Sequence, residues 1–347
     1  MISFNRRRSL IAAAATAVAT LASGAAFAEG TVTLRFHQML PPQATIPAKA
    51  IMPWAKKVEA ESNGRIKVQV FSAMQLGGTP PQLFDQAKDG VVDLTWTVLG
   101  YTPGRFNKAE VFELPFMSGS AEQSSRAFQK YVEAYAADEF KEVKLIAVHT
   151  HGPGLFHTKK PVTGLESLKG MKIRGGSRII NNMLTKLGAT PVGMPVPAVS
   201  EALSKGVIDG TTIPWEVTPA VKVTELVGNH TTFAGEKGLY TQTFAVSMNK
   251  AKYDSLPADL KKVIDNNSGV ETAALFGAAM DAGDKAGKAI AEKRGNNIVA
   301  LDEAETKRWR EAAATVEADW MKEVQGKGID GAKLAAAARD LIAKETK

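Results

Sequence analysis

The chain has 347 residues, a formal net charge of +7 and no cysteine. Without cysteine there are no disulfides, no thiol nucleophile and no thiolate metal site, so the apolar core alone must hold the fold. No long Lys/Arg run carries interleaved aromatic residues, which argues against nucleic acid as a partner.

The first segment reads as an export signal. Arg6, Arg7 and Arg8 form a basic head, an apolar run follows from Leu10 to about Leu21, and Ala26-Phe27-Ala28 makes a small-residue cleavage site before Glu29. The apolar run is too short for a spanning helix, which needs about 20 residues. Arg7-Arg8-Ser9-Leu10-Ile11 resembles a twin-arginine signal, although an ordinary basic secretory head reads the same way. Cleavage after Ala28 would leave 319 residues. With three arginines removed, 40 basic residues face 36 acidic ones, a net charge of +4. A chain of that length can bury a large core and is expected to divide into two domains. No later apolar run reaches membrane length, so the exported product is not expected to be membrane-embedded.

Thr31–Met39 reads as a strand, with Val32, Leu34 and Phe36 alternating with polar residues, and Pro41-Pro42 ends it. Ala48–Ser62 reads as a helix stopped by Asn63-Gly64, and Arg65–Phe71 as a second strand. A helix over Pro80–Lys88 and a strand over Val91–Thr97 follow. A second unit begins near Pro161, with a strand at Met171–Arg174, helices at Ser177–Leu187 and Val196–Lys205, and a short strand at Gly206–Gly210. This alternation predicts α/β units around largely parallel sheets. The run Phe84–Asp93 is echoed by Ser200–Asp209: a helix, a lysine, a glycine stop, then Val-(Val/Ile)-Asp. The echo predicts two domains of similar build. After Leu256 the pattern turns helical, over Pro257–Val263, Val270–Arg294, Asp302–Val324 and Lys333–Lys344, with Trp309, Val316 and Trp320 at core spacing.

Leu168-Lys169-Gly170-Met171-Lys172-Ile173-Arg174 resembles the signature D-L-K-G-L-K-I-R of TRAP-type, DctP-like solute-binding proteins. Met74–Gly78, Gly90–Asp93, Glu113–Phe116, Gly188–Val192 and Glu201–Gly210 fit the same family in order, so the likeness covers most of the exported chain. The resemblance implies a two-lobed periplasmic binding protein fold with hinge strands, a ligand cleft, and C-terminal helices bracing both lobes. The lobes would comprise 29–152 with parts of 243–347, and 153–242, with 256–347 as the C-terminal helical segment. It also implies a monomeric carrier for a small organic acid, serving the subunits of a membrane permease.

By the same resemblance, Arg174 would pair with the ligand carboxylate. The physical reason is independent: a guanidinium offers a rigid planar fork that matches two carboxylate oxygens and stays charged when dehydrated. Arg178 is expected on a helix surface. Many relatives place a ligand-reaching Asn where this chain has Ile213, so the wall here is more apolar. Trp215-Glu216 matches a Trp-Glu pair in an oxo-acid branch, where the Glu holds a metal ion; Glu216 could hold a cation here, or serve only as a surface ion-pair partner. No other cofactor is expected. The position of a second Arg found in sialic-acid binders falls near Pro153, which favours a ligand with one anchored carboxylate.

His151 is expected near the cleft, with His149 on the same strand face, although a structural role for both stands beside this. Aromatic residues expected to line the cleft include Trp96, Tyr101, Phe156 and Trp215, and Gln38 and Gln75 could add hydrogen bonds; core packing is the alternative for the aromatics. Together these predict an aromatic or 2-oxo/2-hydroxy monocarboxylate ligand, with dicarboxylates or sugar acids as the alternative. A sensor input protein would look the same in sequence. An enzyme is disfavoured, because no phosphate-cradling loop, nucleophile elbow or zinc motif is present.

Overall fold

The computed structural model describes residues 30–346. The export-signal segment lies outside the described residues.

Two sheets organise the chain. The first contains β1 (Val32–Gln38), β2 (Ile66–Phe71), β3 (Leu94–Val98), β4 (Val143–Thr150) and β10 (Thr243–Asn249), in the order β2-β1-β3-β10-β4. The second contains β5 (Leu155–Thr158), β6 (Lys172–Gly175), β7 (Thr190–Gly193), β8 (Gly210–Ile213), β9 (Asn229–Thr232) and β11 (Asn297–Ala300), in the order β11-β9-β5-β8-β6-β7. Helices cover both, which makes two α/β lobes.

The sheets are mixed rather than largely parallel. β10 runs antiparallel to both β3 and β4, and β5 runs antiparallel to both β8 and β9. The cause is topological: the chain leaves the first sheet after β4, builds most of the second, and returns through β10. The outgoing stretch 151–154 and the returning stretch 239–242 lie side by side. Gly154 N–H donates to Tyr240 O at 2.9 Å, Leu239 N–H to Gly154 O at 3.2 Å, and His151 N–H to Gln242 O at 3.4 Å. A two-stranded ribbon therefore joins the lobes.

The internal echo is structural. Gly90 and Gly206 both take positive φ, +75° and +70°. After each, an exposed Val91 or Val207 precedes a buried Val92 or Ile208. Asp93 Oδ2 then accepts from Arg35 N–H at 2.7 Å, and Asp209 Oδ2 from Lys172 N–H at 2.8 Å. The Val-(Val/Ile)-Asp triplet is thus a bend whose carboxylate caps the neighbouring strand, so the strand expected at Gly206–Gly210 starts instead at Gly210.

The helix Val270–Lys293 packs against the helix Ala121–Tyr131 and β4 on one side and against the turn Trp215–Val217 on the other. The stretch expected as one helix over Asp302–Val324 is two, Glu303–Ala313 and Thr315–Gln325. Trp309, Val316 and Trp320 are buried as their spacing predicted. Thr315–Gln325 packs on the helix Arg178–Lys186 and Gly331–Glu345 packs on Ala121–Tyr131, so the C-terminal helices brace both lobes.

Candidate functional site

Arg174 lies in β6, and its side chain is fully buried. Nε donates to Met194 O at 2.9 Å and Nη1 to Thr212 O at 3.3 Å, both in the same lobe. Nη2 reaches Tyr101 Oη of the other lobe at 3.5 Å. Tyr101 Oη also accepts from Val196 N–H at 2.8 Å, so with two donors pointing at it the hydroxyl keeps its own proton to give. A guanidinium has five N–H groups, so two remain after these three contacts. Among the described residues no carboxylate lies within ion-pair distance of Arg174. A buried, uncompensated cation is costly, and an incoming anion removes that cost.

Arg174 lines a cavity between the lobes. Its wall is largely apolar: Trp96, Val98, Ile213, Phe244 and Met280 contribute from both lobes. Trp96 and His149 lie nearly coplanar, with centroids 6.2 Å apart at 6°, and Phe244 stacks across both, 5.3 Å from Trp96 and 4.7 Å from His149. Trp96 Nε1 donates to His149 Nε2 at 2.8 Å, which satisfies the indole and fixes the plane of the array. Burial pushes His149 down to about 3. His151 sits at the cavity edge in the ribbon; its Nδ1–H donates to Gly152 O at 2.5 Å and Nε2 accepts from Gln242 N–H at 3.1 Å. Burial, with the nearby Arg174 charge adding to it, lowers His151 to about 4, so it is a neutral wall residue near pH 7.

Glu216 also lines the cavity, with its side chain buried and Oε1 without a hydrogen-bond partner. Desolvation raises its carboxyl to about 7. Its backbone N–H donates to Asp284 Oδ1 at 2.7 Å. Among the described residues no group of three or more carboxylate or imidazole side chains is arranged to hold a metal ion.

Of the residues singled out in the sequence, Arg174, Trp96, Tyr101, His151, Ile213 and Glu216 meet at this cavity. Four do not. Gln38 closes its own turn, giving Nε2–H to Leu40 O at 2.6 Å and accepting Leu40 N–H at 2.5 Å. Gln75 accepts from Ser72 N–H at 3.2 Å in an exposed turn. Phe156 packs in the core against Trp309, and Trp215 packs behind the wall against His157 and His230. Arg178 is not a free surface residue: it forks onto both carboxyl oxygens of Glu110 and also pairs with Glu323. The sequence reading missed Gln242, Phe244 and Met280. Phe244 and Met280 carry no local signal that separates them from core residues. Gln242 stands just before β10, at the end of a loop whose return to the cleft only the topology reveals.

Two α/β lobes joined by a ribbon, with a buried cation facing an interlobe cavity, define a solute-binding protein of the two-lobed type. The sequence matches the family model for bacterial extracellular solute-binding protein, family 7 (DctP), over residues 36–323. The chain belongs to this family of TRAP-type solute-binding proteins. It resembles a TRAP solute-binding protein from Rhodoferax ferrireducens T118, in complex with copurified benzoate, at 50% identity and a TM-score of 0.89, covering 91% of this chain and 99% of that one. A protein from an unidentified marine microbe, specific for aromatic acid ligands and crystallised with 3-hydroxybenzoate, is 51% identical with a TM-score of 0.90, covering 92% and 100%. A Bordetella bronchiseptica protein with bound (R)- and (S)-mandelate is 33% identical with a TM-score of 0.83, covering 90% and 99%.

Proposed function

We propose that this protein captures an aromatic monocarboxylate outside the cytoplasm and delivers it, as a monomer, to the subunits of a TRAP membrane permease. The single observation that carries this reading is Arg174: a fully buried guanidinium with spare N–H groups and no counter-ion among the described residues, lining a cavity walled by stacked aromatic rings. The carboxylate takes the guanidinium fork and the Tyr101 hydroxyl, and the ring lies against Trp96 and Phe244. The benzoate, hydroxybenzoate and mandelate complexes of the similar proteins support the same class of ligand. The reading includes export by the first 28 residues and lobes divided near residue 152. Capture by Arg174 and Tyr101 uses no metal ion, and the chelator arm below tests whether a cation at Glu216 takes part.

A thermal-shift screen of ligand-stripped protein tests this. The panel holds benzoate, mandelate, phenylpyruvate, succinate and glucuronate, each with and without chelator. A ligand at about 100 times its Kd adds about 2.7 kcal/mol, enough to raise the midpoint by a few degrees. The expected result is a shift with the aromatic monocarboxylates that chelator does not change. Shifts confined to succinate or glucuronate would overturn the aromatic reading, and loss of the shift in chelator would return a cation to Glu216.

A further inference from the structure

We propose that Gln242 reads a hydroxyl group on the bound acid, so that the preferred ligands are hydroxylated aromatic acids rather than the plain arene carboxylates. This rests on the aromatic-acid reading of the cavity. Gln242 is 4% exposed and lines the cavity, and its Nε2 is buried with no hydrogen-bond partner. The side chain has a defined seat. The backbone of Gln242 is pinned to His151 by hydrogen bonds in both directions, and Gly176 leaves the space the amide fills. A Cβ at Gly176 would stand 2.3 Å from Gln242 Oε1 and 2.6 Å from Nε2.

A buried amide donor left unpaired costs about 1–3 kcal/mol. The carboxylate of the ligand is taken by Arg174, and an aromatic ring edge has nothing to accept the amide hydrogens. A hydroxyl does. It can accept from Gln242 Nε2, and its own proton is then free for another acceptor among the residues lining the cavity, where Glu216 Oε1 is also buried and unpartnered. The two come from separate parts of the chain, Gln242 from the ribbon and Glu216 from the turn after β8. A site that pairs a ligand hydroxyl discriminates against the analogue that lacks it, because the protein groups are then stranded.

The experiment is calorimetric titration of benzoate, the three monohydroxybenzoates, mandelate and the chlorobenzoates into wild-type protein and Gln242→Met. The wild type is expected to bind its best hydroxy acid about tenfold or more tighter than benzoate, the equivalent of about 1.4 kcal/mol. In Gln242→Met that ratio should fall towards one, because the variant has no amide for a plain arene to strand. Equal loss for benzoate and hydroxy acids in the variant would overturn the proposal, since Gln242 would then serve the carboxylate. A second arm needs no variant: in wild-type protein, the chloro acid with the same substitution pattern, or benzoate in place of mandelate, must bind more weakly than the hydroxy acid. Benzoate or chlorobenzoate binding as tightly as every hydroxy acid would sink this inference and leave the proposed function standing. Failure of every aromatic acid to bind would remove both.

Discussion

Each hydrogen bond that Arg174 makes among the described residues is to a neutral oxygen, and that distinguishes it from Arg178 four residues later, which is held by two carboxylates. Sequence spacing could not separate the two arginines; only the family likeness of the preceding strand did. The aromatics show the same limit. Trp96 and Phe156 both look like cleft residues in sequence, yet one stacks at the cavity wall and the other fills the core, because side-chain direction depends on strand register across the sheet. At Glu216 the physical chemistry gives a prediction. Desolvation raises its carboxyl to about 7, with half-buried Asp284 also held well above the ordinary range beside it. Below about pH 7 Glu216 is neutral; above it, a second anion stands in the cavity beside an anionic ligand. Affinity for an aromatic carboxylate should therefore fall as pH rises from 6 to 8.5 in the wild type and stay nearly flat in Glu216→Gln. Titrations at the two pH values decide this, and a slope that survives in Glu216→Gln would show that another group is responsible.

Among the elements, those with a clear period were the most legible. β1 and the helix Arg178–Lys186 were readable from alternation and capping. β10, Thr-Phe-Ala-Val-Ser-Met-Asn, is buried at all seven positions and mixes polar with apolar residues, so it offers no alternation. β9 and β11 are four-residue strands, too short for a pattern. The helix Val270–Lys293 was legible as a helix, but its glycines were not legible as contacts. A Cβ at Gly287 would stand 2.1 Å from Trp215 O, and one at Gly283 would stand 2.5 Å from Glu216 Cγ. These glycines let the helix seat the turn that presents Glu216 and Val217 to the cavity. Gly→Ala inside an exposed helix ordinarily stabilises by up to about 1 kcal/mol. Here overpacking against backbone should reverse the sign, so Gly287→Ala should lose about 1–3 kcal/mol in denaturant melts and also weaken ligand binding. A Gly287→Ala protein that is more stable than wild type and binds equally well would contradict this packing.

At the scale of the whole molecule, two similar lobes are held by a ribbon and by helices that reach across both. The duplicated bend at Asp93 and Asp209 made that duplication visible in sequence, while the return of the chain to the first lobe came only with the family likeness, and the mixed sheets it produces were not visible. The consequence of the crossing is functional: His151 and Gln242 are both residues of the connecting ribbon and residues of the cavity wall. Arg174 is wholly enclosed, so a ligand reaches it only when the lobes part, and their closure excludes water and strengthens the charge pair. The most direct measurement is a titration of benzoate and the best hydroxy acid into wild-type protein and Arg174→Met, with both proteins shown folded by cooperative melting. Removing one partner of a buried charge pair costs about 2–5 kcal/mol, so the variant should bind roughly 30-fold to several thousand-fold more weakly while remaining folded. Wild-type affinity in a folded Arg174→Met protein would contradict the account at its centre.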